Sequence, residues 1–109
     1  MSGADSAADP DALEGLGELD RLLDHRVRLA VAVLLSRHRQ MSFRRLKDLL
    51  GETDGSLGAH LRKLEDAGYL DADKRFEDRK PITWYALTRE GRKAARQHVR
   101  GLKDLLDGV

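Results

Sequence analysis

The stretch 52–70 constrains this chain more than any other. Leu57, Leu61 and Leu64 recur at i, i+4 and i+7, which places them on one stripe of an α-helix. Ser56, His60, Arg62 and Lys63 fall on the other side, with no carboxylate from Ser56 until Glu65 and Asp66. Thr53 or Asp54 can cap the start, and Gly68 is placed to end the helix in a left-handed turn. A short helix with an apolar back and a basic, hydroxyl-bearing front has the build of a part that lies in a groove. After Gly68 the period changes from helical to alternating, so residues 69–75 and 82–87 read as strands.

The flanks supply packing partners for that helix. Residues 26–37 carry Val27, Ala30, Val31, Val33, Leu34 and Leu35, an apolar band broad enough to predict a central, well-buried helix. Residues 40–43 form a connector that could pair as a brief edge strand. Ser42 can cap a helix with Phe43, Leu46, Leu49 and Leu50 inward and Arg44, Arg45 and Lys47 outward, closed by Gly51. Two short helices joined by a tight turn, the second basic on its outer face, match a helix-turn-helix. Residues 76–81 read as a charged loop of about six residues, with Pro81 unsuited to a ladder position, so the two strands form a hairpin. Thr88 then caps a last helix reaching about residue 107, with Ala94, Ala95, Val99, Leu102, Leu105 and Leu106 as its apolar positions and Gly101 as a weak point.

Upstream, Leu13, Leu16, Leu19, Leu22 and Leu23 give residues 11–24 a helical rhythm, broken by Gly15 and Gly17. Each glycine costs about 1 kcal/mol in a helix interior, so this segment needs a partner surface. Residues 1–10 are small and acidic without periodicity, which predicts a disordered tail. The expected architecture is mainly α with a small β-hairpin (α+β): a winged helix-turn-helix over residues 11–109 with added terminal helices.

Bulk properties narrow the function. The 109 residues make one domain, large enough to bury a core without staples. The absence of cysteine excludes disulfides and thiolate metal sites and makes a cytoplasmic address the default. No apolar run approaches the roughly 18 residues of a membrane span, and the N-terminus lacks the basic start and apolar centre of a signal peptide. The net charge of +1 hides an asymmetry: residues 1–24 hold seven acids against Arg21, a net of −6, leaving +7 on the remaining 85. An acidic arm on a basic body suggests a polyanionic partner. His25, His38, His60 and His98 include no His-x₃-His pair, and residues 51–58 lack the Gly-Lys-Ser/Thr ending of a phosphate loop. Ser56 and His60 share a helix with no third group to orient them. No catalytic residue, metal or cofactor is expected.

The individual side chains carry two readings each. Ser56 sits early in its helix, where side chains reach base edges in helix-turn-helix complexes, or it bonds to the local backbone. Thr53 lies beside it. Arg62 and Lys63, with Arg44 and Arg45 on the preceding helix, neutralise phosphates or merely solvate the surface. Ala59 offers a methyl that could meet a thymine methyl. His60 lies nearer the leucine stripe, as a packed core histidine or a DNA contact. At the hairpin, Lys74, Arg75, Arg79 and Lys80 outnumber Glu77 and Asp78, which suits a phosphate backbone or narrow minor groove, or else guards an edge strand. Trp84 and Tyr85 alternate faces, so one of them packs into the core.

Helix, helix-turn-helix, hairpin, helix is the order of the winged-helix fold. The run Arg26-Val-Arg-Leu-Ala30, then Ser42-Phe43 before Leu46-Lys-Asp-Leu49, resembles the start of a MarR/ArsR-like winged-helix regulator. Asp54-Gly-Ser-Leu-Gly-Ala-His-Leu-Arg-Lys-Leu-Glu-Asp-Ala-Gly-Tyr69 resembles the recognition helix of that group. Arg79-Lys-Pro-Ile-Thr-Trp-Tyr-Ala-Leu-Thr-Arg-Glu-Gly-Arg92 resembles its second wing strand and the exit into the last helix. The resemblance implies a homodimeric transcription factor on a pseudo-palindromic double-stranded DNA operator, with recognition helices in successive major grooves and wings on the flanking backbone. It implies dimerisation through the terminal helices, here Leu13, Leu16, Leu19 and Leu23 with Val99, Leu102, Leu105 and Leu106. Any small-molecule effector would bind between the DNA-binding core and those helices. One departure is Gly58-Ala59, where similar proteins often carry larger polar residues. The rival reading is a winged-helix module that docks onto a partner protein.

Overall fold

A computed structural model describes residues 11–107 and 109; the expected acidic tail at 1–10 lies outside the described residues. A 3-10 helix, Asp11–Glu18, leads through turns into α1 (Arg26–Arg37). Strand β1 (Met41–Ser42), helix α2 (Phe43–Leu50) and helix α3 (Asp54–Asp66) follow, then β2 (Leu70–Glu77), β3 (Lys80–Leu87) and α4 (Arg89–Leu106). The fold is mostly helical with one small antiparallel sheet ordered β1-β3-β2.

Side-chain caps start the helices where their hydroxyl and imidazole residues fall. Ser42 accepts from the N–H of Arg45, Thr53 from Ser56 and Thr88 from Gly91, while the His25 ring accepts from Val27. Each satisfies a donor that the first turn leaves unpaired. Gly51 and Gly68 follow α2 and α3 at φ 64° and 80°, the left-handed conformation that stops a helix.

The core forms where the stripes meet. Leu57, Leu61 and Leu64 of α3 are 0%, 1% and 1% exposed, against Val27, Val31 and Leu35 of α1, Leu46 of α2, and Leu70, Tyr85 and Leu87 of the sheet. Tyr85 is the aromatic that enters the core; Trp84, on the opposite face of β3, donates its indole N–H to Glu77 at 3.0 Å.

The hairpin differs from the six-residue loop read in the sequence. Its turn is only Asp78 and Arg79, both left-handed at φ 52° and 65°, and the strands pair out to Glu77 and Lys80. Pro81 sits inside β3 opposite Phe76. The position is tolerated because β1 reaches only Trp84 and Tyr85, so β3 has a single neighbour at its tip.

The N-terminal segment also differs. Residues 11–24 are not one α-helix, and Leu23 is 1% exposed within the core, so it is not available to a dimer interface. Leu19 is half-buried against Gly101. The glycines read as weak points are a crossing: a Cβ on Gly15 would stand 2.3 Å from the Gly101 carbonyl oxygen. Asp20 ties the segment down. Its N–H donates to Nδ1 of the fully buried His98 at 2.9 Å, and its carboxylate accepts from the Tyr69 hydroxyl. That bond, helped by burial, pushes the Tyr69 pKa up to about 12.

A second close approach joins α4 to the end of α3. A Cβ on Gly91 would lie 2.2 Å from the Tyr69 carbonyl oxygen, which already accepts from the Thr88 N–H. Gly91→Ala is therefore expected to lower stability by about 1–3 kcal/mol through overpacking. A chemical-denaturation midpoint equal to the parent's would show that this contact yields freely.

Candidate nucleic-acid interface

The leucine stripe fixes which side of α3 faces out. With Leu57, Leu61 and Leu64 inward, Ala59, Arg62 and Lys63 are exposed, while Ser56 and His60 at the edge of the stripe are half-buried. Among the described residues neither Arg62 nor Lys63 has an ion-pair partner. They are the two cations of this helix.

Three other residues named for this helix are already engaged. Thr53 uses its hydroxyl oxygen to cap α3, accepting from Ser56 N–H at 3.1 Å. Ser56 donates its hydroxyl proton to Glu52 at 2.6 Å, which leaves only its acceptor lone pairs for a base. His60 turns toward α1. The Arg28 guanidinium donates to its Nδ1 at 2.9 Å, and its ring meets that of His25 at a tilt of 39° with centroids 4.4 Å apart. Burial, then the His25 and Arg28 charges, holds the His60 imidazole below the ordinary histidine range. His60 is thus half-buried at the edge of the stripe and engaged by α1.

Arg44 and Arg45 are exposed on α2. Arg44 borders a cleft of about 730 Å³ between α2, the start of α3 and the wing. The cleft is mixed in charge: Arg44, Lys47 and Lys80 face Asp48, Asp54, Glu77 and Asp78, and Lys47 is paired to Asp54 at 2.9 Å.

The hairpin register sorts the wing cations. Lys74 pairs across from Thr83 on the sheet face that continues the core, whereas Arg75 and Lys80 share the opposite face with Asp73, Glu77 and Trp84. Arg75 is held there. It pairs with Asp73 at 2.8 Å, donates to Gln40 at 3.0 Å, and lies over the Trp84 ring 5.5 Å from its centroid. Arg79 occupies the turn. The wing therefore offers Lys74, Arg79 and Lys80 without partners among the described residues, and Arg75 only if it leaves its own contacts.

Two relevant residues escaped the sequence reading. Glu52, which holds Ser56, sits outside the helix and gave no periodic signal. Phe76 is 77% exposed at the wing tip; the strand alternation would have placed it once the two-residue turn was known. The described residues hold no group of three or more His, Cys, Asp or Glu side chains placed to bind a metal ion, and no helix long and apolar enough to cross a membrane.

Comparison with known proteins agrees with this architecture. A transcriptional regulator homologue from Pyrococcus horikoshii superposes with a TM-score of 0.80 at 32% identity, over 87% of this chain and 96% of that one. The transcriptional regulator BldR from Sulfolobus solfataricus shares the fold, with a TM-score of 0.69 at 19% identity over 94% of this chain and 71% of that one. An uncharacterised protein of Methanocaldococcus jannaschii is 30% identical over 83 residues, covering 76% of this chain and 90% of its relative. Residues 27–106, from α1 through α4, match the family described as winged helix DNA-binding domain, and the chain belongs to that family.

Proposed function

We propose that this chain is a sequence-specific DNA-binding transcriptional regulator, acting as a homodimeric repressor on a pseudo-palindromic duplex operator. Helix α3 lies in the major groove, and the wing touches the flanking backbone or minor groove. The observation that carries this is the leucine-anchored pose of α3, which leaves Ala59, Arg62 and Lys63 outward in a winged helix DNA-binding domain. A cytoplasmic location on the nucleoid goes with this reading.

The parts divide the work unevenly. Arg62, Lys63, Arg44 and Arg45 serve as phosphate contacts that set position, as do Lys74, Arg79 and Lys80 on the wing. Ser56, with its proton given to Glu52, accepts from an exocyclic amine of adenine or cytosine, and Ala59 meets a thymine methyl. Phe76 adds an apolar contact with sugars where the wing enters the minor groove. The exposed terminal leucines, Leu13, Leu16 and Leu106, with the half-buried Val99, Leu102 and Leu105, supply apolar area for the homodimer.

A second reading, docking of the wing cleft onto a partner protein, is favoured by the four carboxylates that line it. Salt decides between the two. Duplex affinity of the regulator falls by orders of magnitude between about 50 and 200 mM salt as counterions are released. Absence of duplex binding at low salt would leave the docking reading in possession.

Two variants test the placement. Arg79→Ala with Lys80→Ala should weaken binding to all sequences alike and flatten the logarithmic salt slope by about 2 for each subunit, about 4 for the homodimer. An unaltered slope in fluorescence anisotropy would take the wing off the DNA. Ser56→Ala should instead change the ratio between preferred and altered operators, by about 1–3 kcal/mol if its base contact is made. A uniform effect across sequences, measured by competitive selection, would return Ser56 to a purely local role.

A further inference from the structure

The turn between α2 and α3 carries a carboxylate where a surface meant for a polyanion has least use for one. Glu52 is half-buried, four residues before Ser56, and among the described residues it has no ion-pair partner. Its backbone is held on both sides. Gly51 turns left-handed at φ 64°, the Glu52 N–H donates to the Lys47 carbonyl at 3.3 Å, and Thr53 follows as the cap of α3. The helix start does not need this acid. Thr53 already accepts from the Ser56 N–H, and Asp54 already supplies negative charge to the first turn.

What Glu52 does is fix a proton. An ionised carboxylate only accepts, so the 2.6 Å contact requires the Ser56 O–H to be aimed at Glu52. A free serine hydroxyl rotates, donating to one base and accepting from another. Locked this way, Ser56 presents lone pairs alone. In the major groove adenine and cytosine offer an exocyclic amine that these lone pairs can accept from. Guanine O6 and N7 and thymine O4 are acceptors, and they meet Ser56 lone pair to lone pair. The neighbouring positions leave room for a base edge, since a Cβ on Gly55 or Gly58 would meet nothing within 4 Å. Ser56 is also the one hydroxyl within α3, so the choice falls on this group.

We infer that Glu52, which lies outside the recognition helix, determines specificity: by holding the Ser56 proton it makes the chain reject guanine and thymine at the base Ser56 faces. Glu52 is a positioning residue that acts through Ser56 and touches no base itself. The inference rests on the reading of Ser56 as a base contact, and adds which bases are excluded and by which group.

Selection from randomised duplexes, followed by anisotropy titration of the full chain at one salt concentration, reads the base preference. The position that Ser56→Ala alters marks the base in question. There the parent should favour adenine or cytosine over guanine and thymine by about tenfold or more. In Glu52→Gln the amide can accept from Ser56 through its oxygen or donate to it through its nitrogen. The hydroxyl then regains both roles, and the ratio should fall to about threefold or less. The fall should come from guanine and thymine sites gaining affinity, with none lost elsewhere, because a negative charge beside the phosphates is also removed. Glu52→Ala should relax the ratio likewise, and circular dichroism checks that both variants are folded. A role confined to the helix start would instead lower affinity for every sequence alike. A parent that favours guanine or thymine at this position, or two variants that keep the parent ratio, overturns the inference while Ser56 remains a base contact. Sites unchanged by Ser56→Ala overturn both.

Discussion

Val27, Val31 and Leu35 follow one another at four-residue steps along α1, and all three are buried. Helices α2, α3 and α4 and strand β3 all pack on this helix, so its placement sets theirs. Each such side chain contributes about 1.5–3 kcal/mol on full burial. The apolar band of α1 is broader than one core needs because the helix has two apolar faces. Val27, Val31 and Leu35 serve the core, whereas Leu29 and Val33 open onto a groove beside α4. One helix thus orients the outward face of α3 and floors a second surface on its other side.

Much of this was legible in the residues. Ser42, Thr53 and Thr88 mark helix starts because a hydroxyl there can serve only a few local donors, and each does so. The leucine stripe of α3 and the switch to alternation after Gly68 gave the helix-turn-helix and the wing. The turn at Asp78 and Arg79 was hidden because neither residue is glycine or asparagine, the usual sign of two successive left-handed positions. Leu23 could not be told from an interface leucine, since core and interface ask for the same apolar stripe. Gly15 and Gly101 read as weak points because a backbone crossing depends on a partner 86 residues away. The site residues were legible as types and positions but not as free or engaged. Arg75 meets Gln40 and Ser56 meets Glu52, and no periodicity reports such partners.

The interface draws its electrostatics from few groups. Lys47 is given to Asp54 and Arg75 to Asp73, so a nominally cation-rich surface has fewer charges in reserve. Exposed pairs of this kind contribute about 0–1 kcal/mol each, so they are easily traded for a stronger anion. Their effect is on geometry. Arg75 lies over Trp84 on the wing's outer face, and the two-residue turn keeps the strands paired out to Glu77 and Lys80.

Asp20 reaches partners 49 and 78 residues further along, Tyr69 and His98. On a chain made from the N-terminus, neither partner exists while the helix-turn-helix is emerging. The wing and α3 can assemble around α1 from contacts nearer in sequence, but the N-terminal segment has nowhere to dock until α4 leaves the ribosome. A segment made before its partners is thus among the last to take its place.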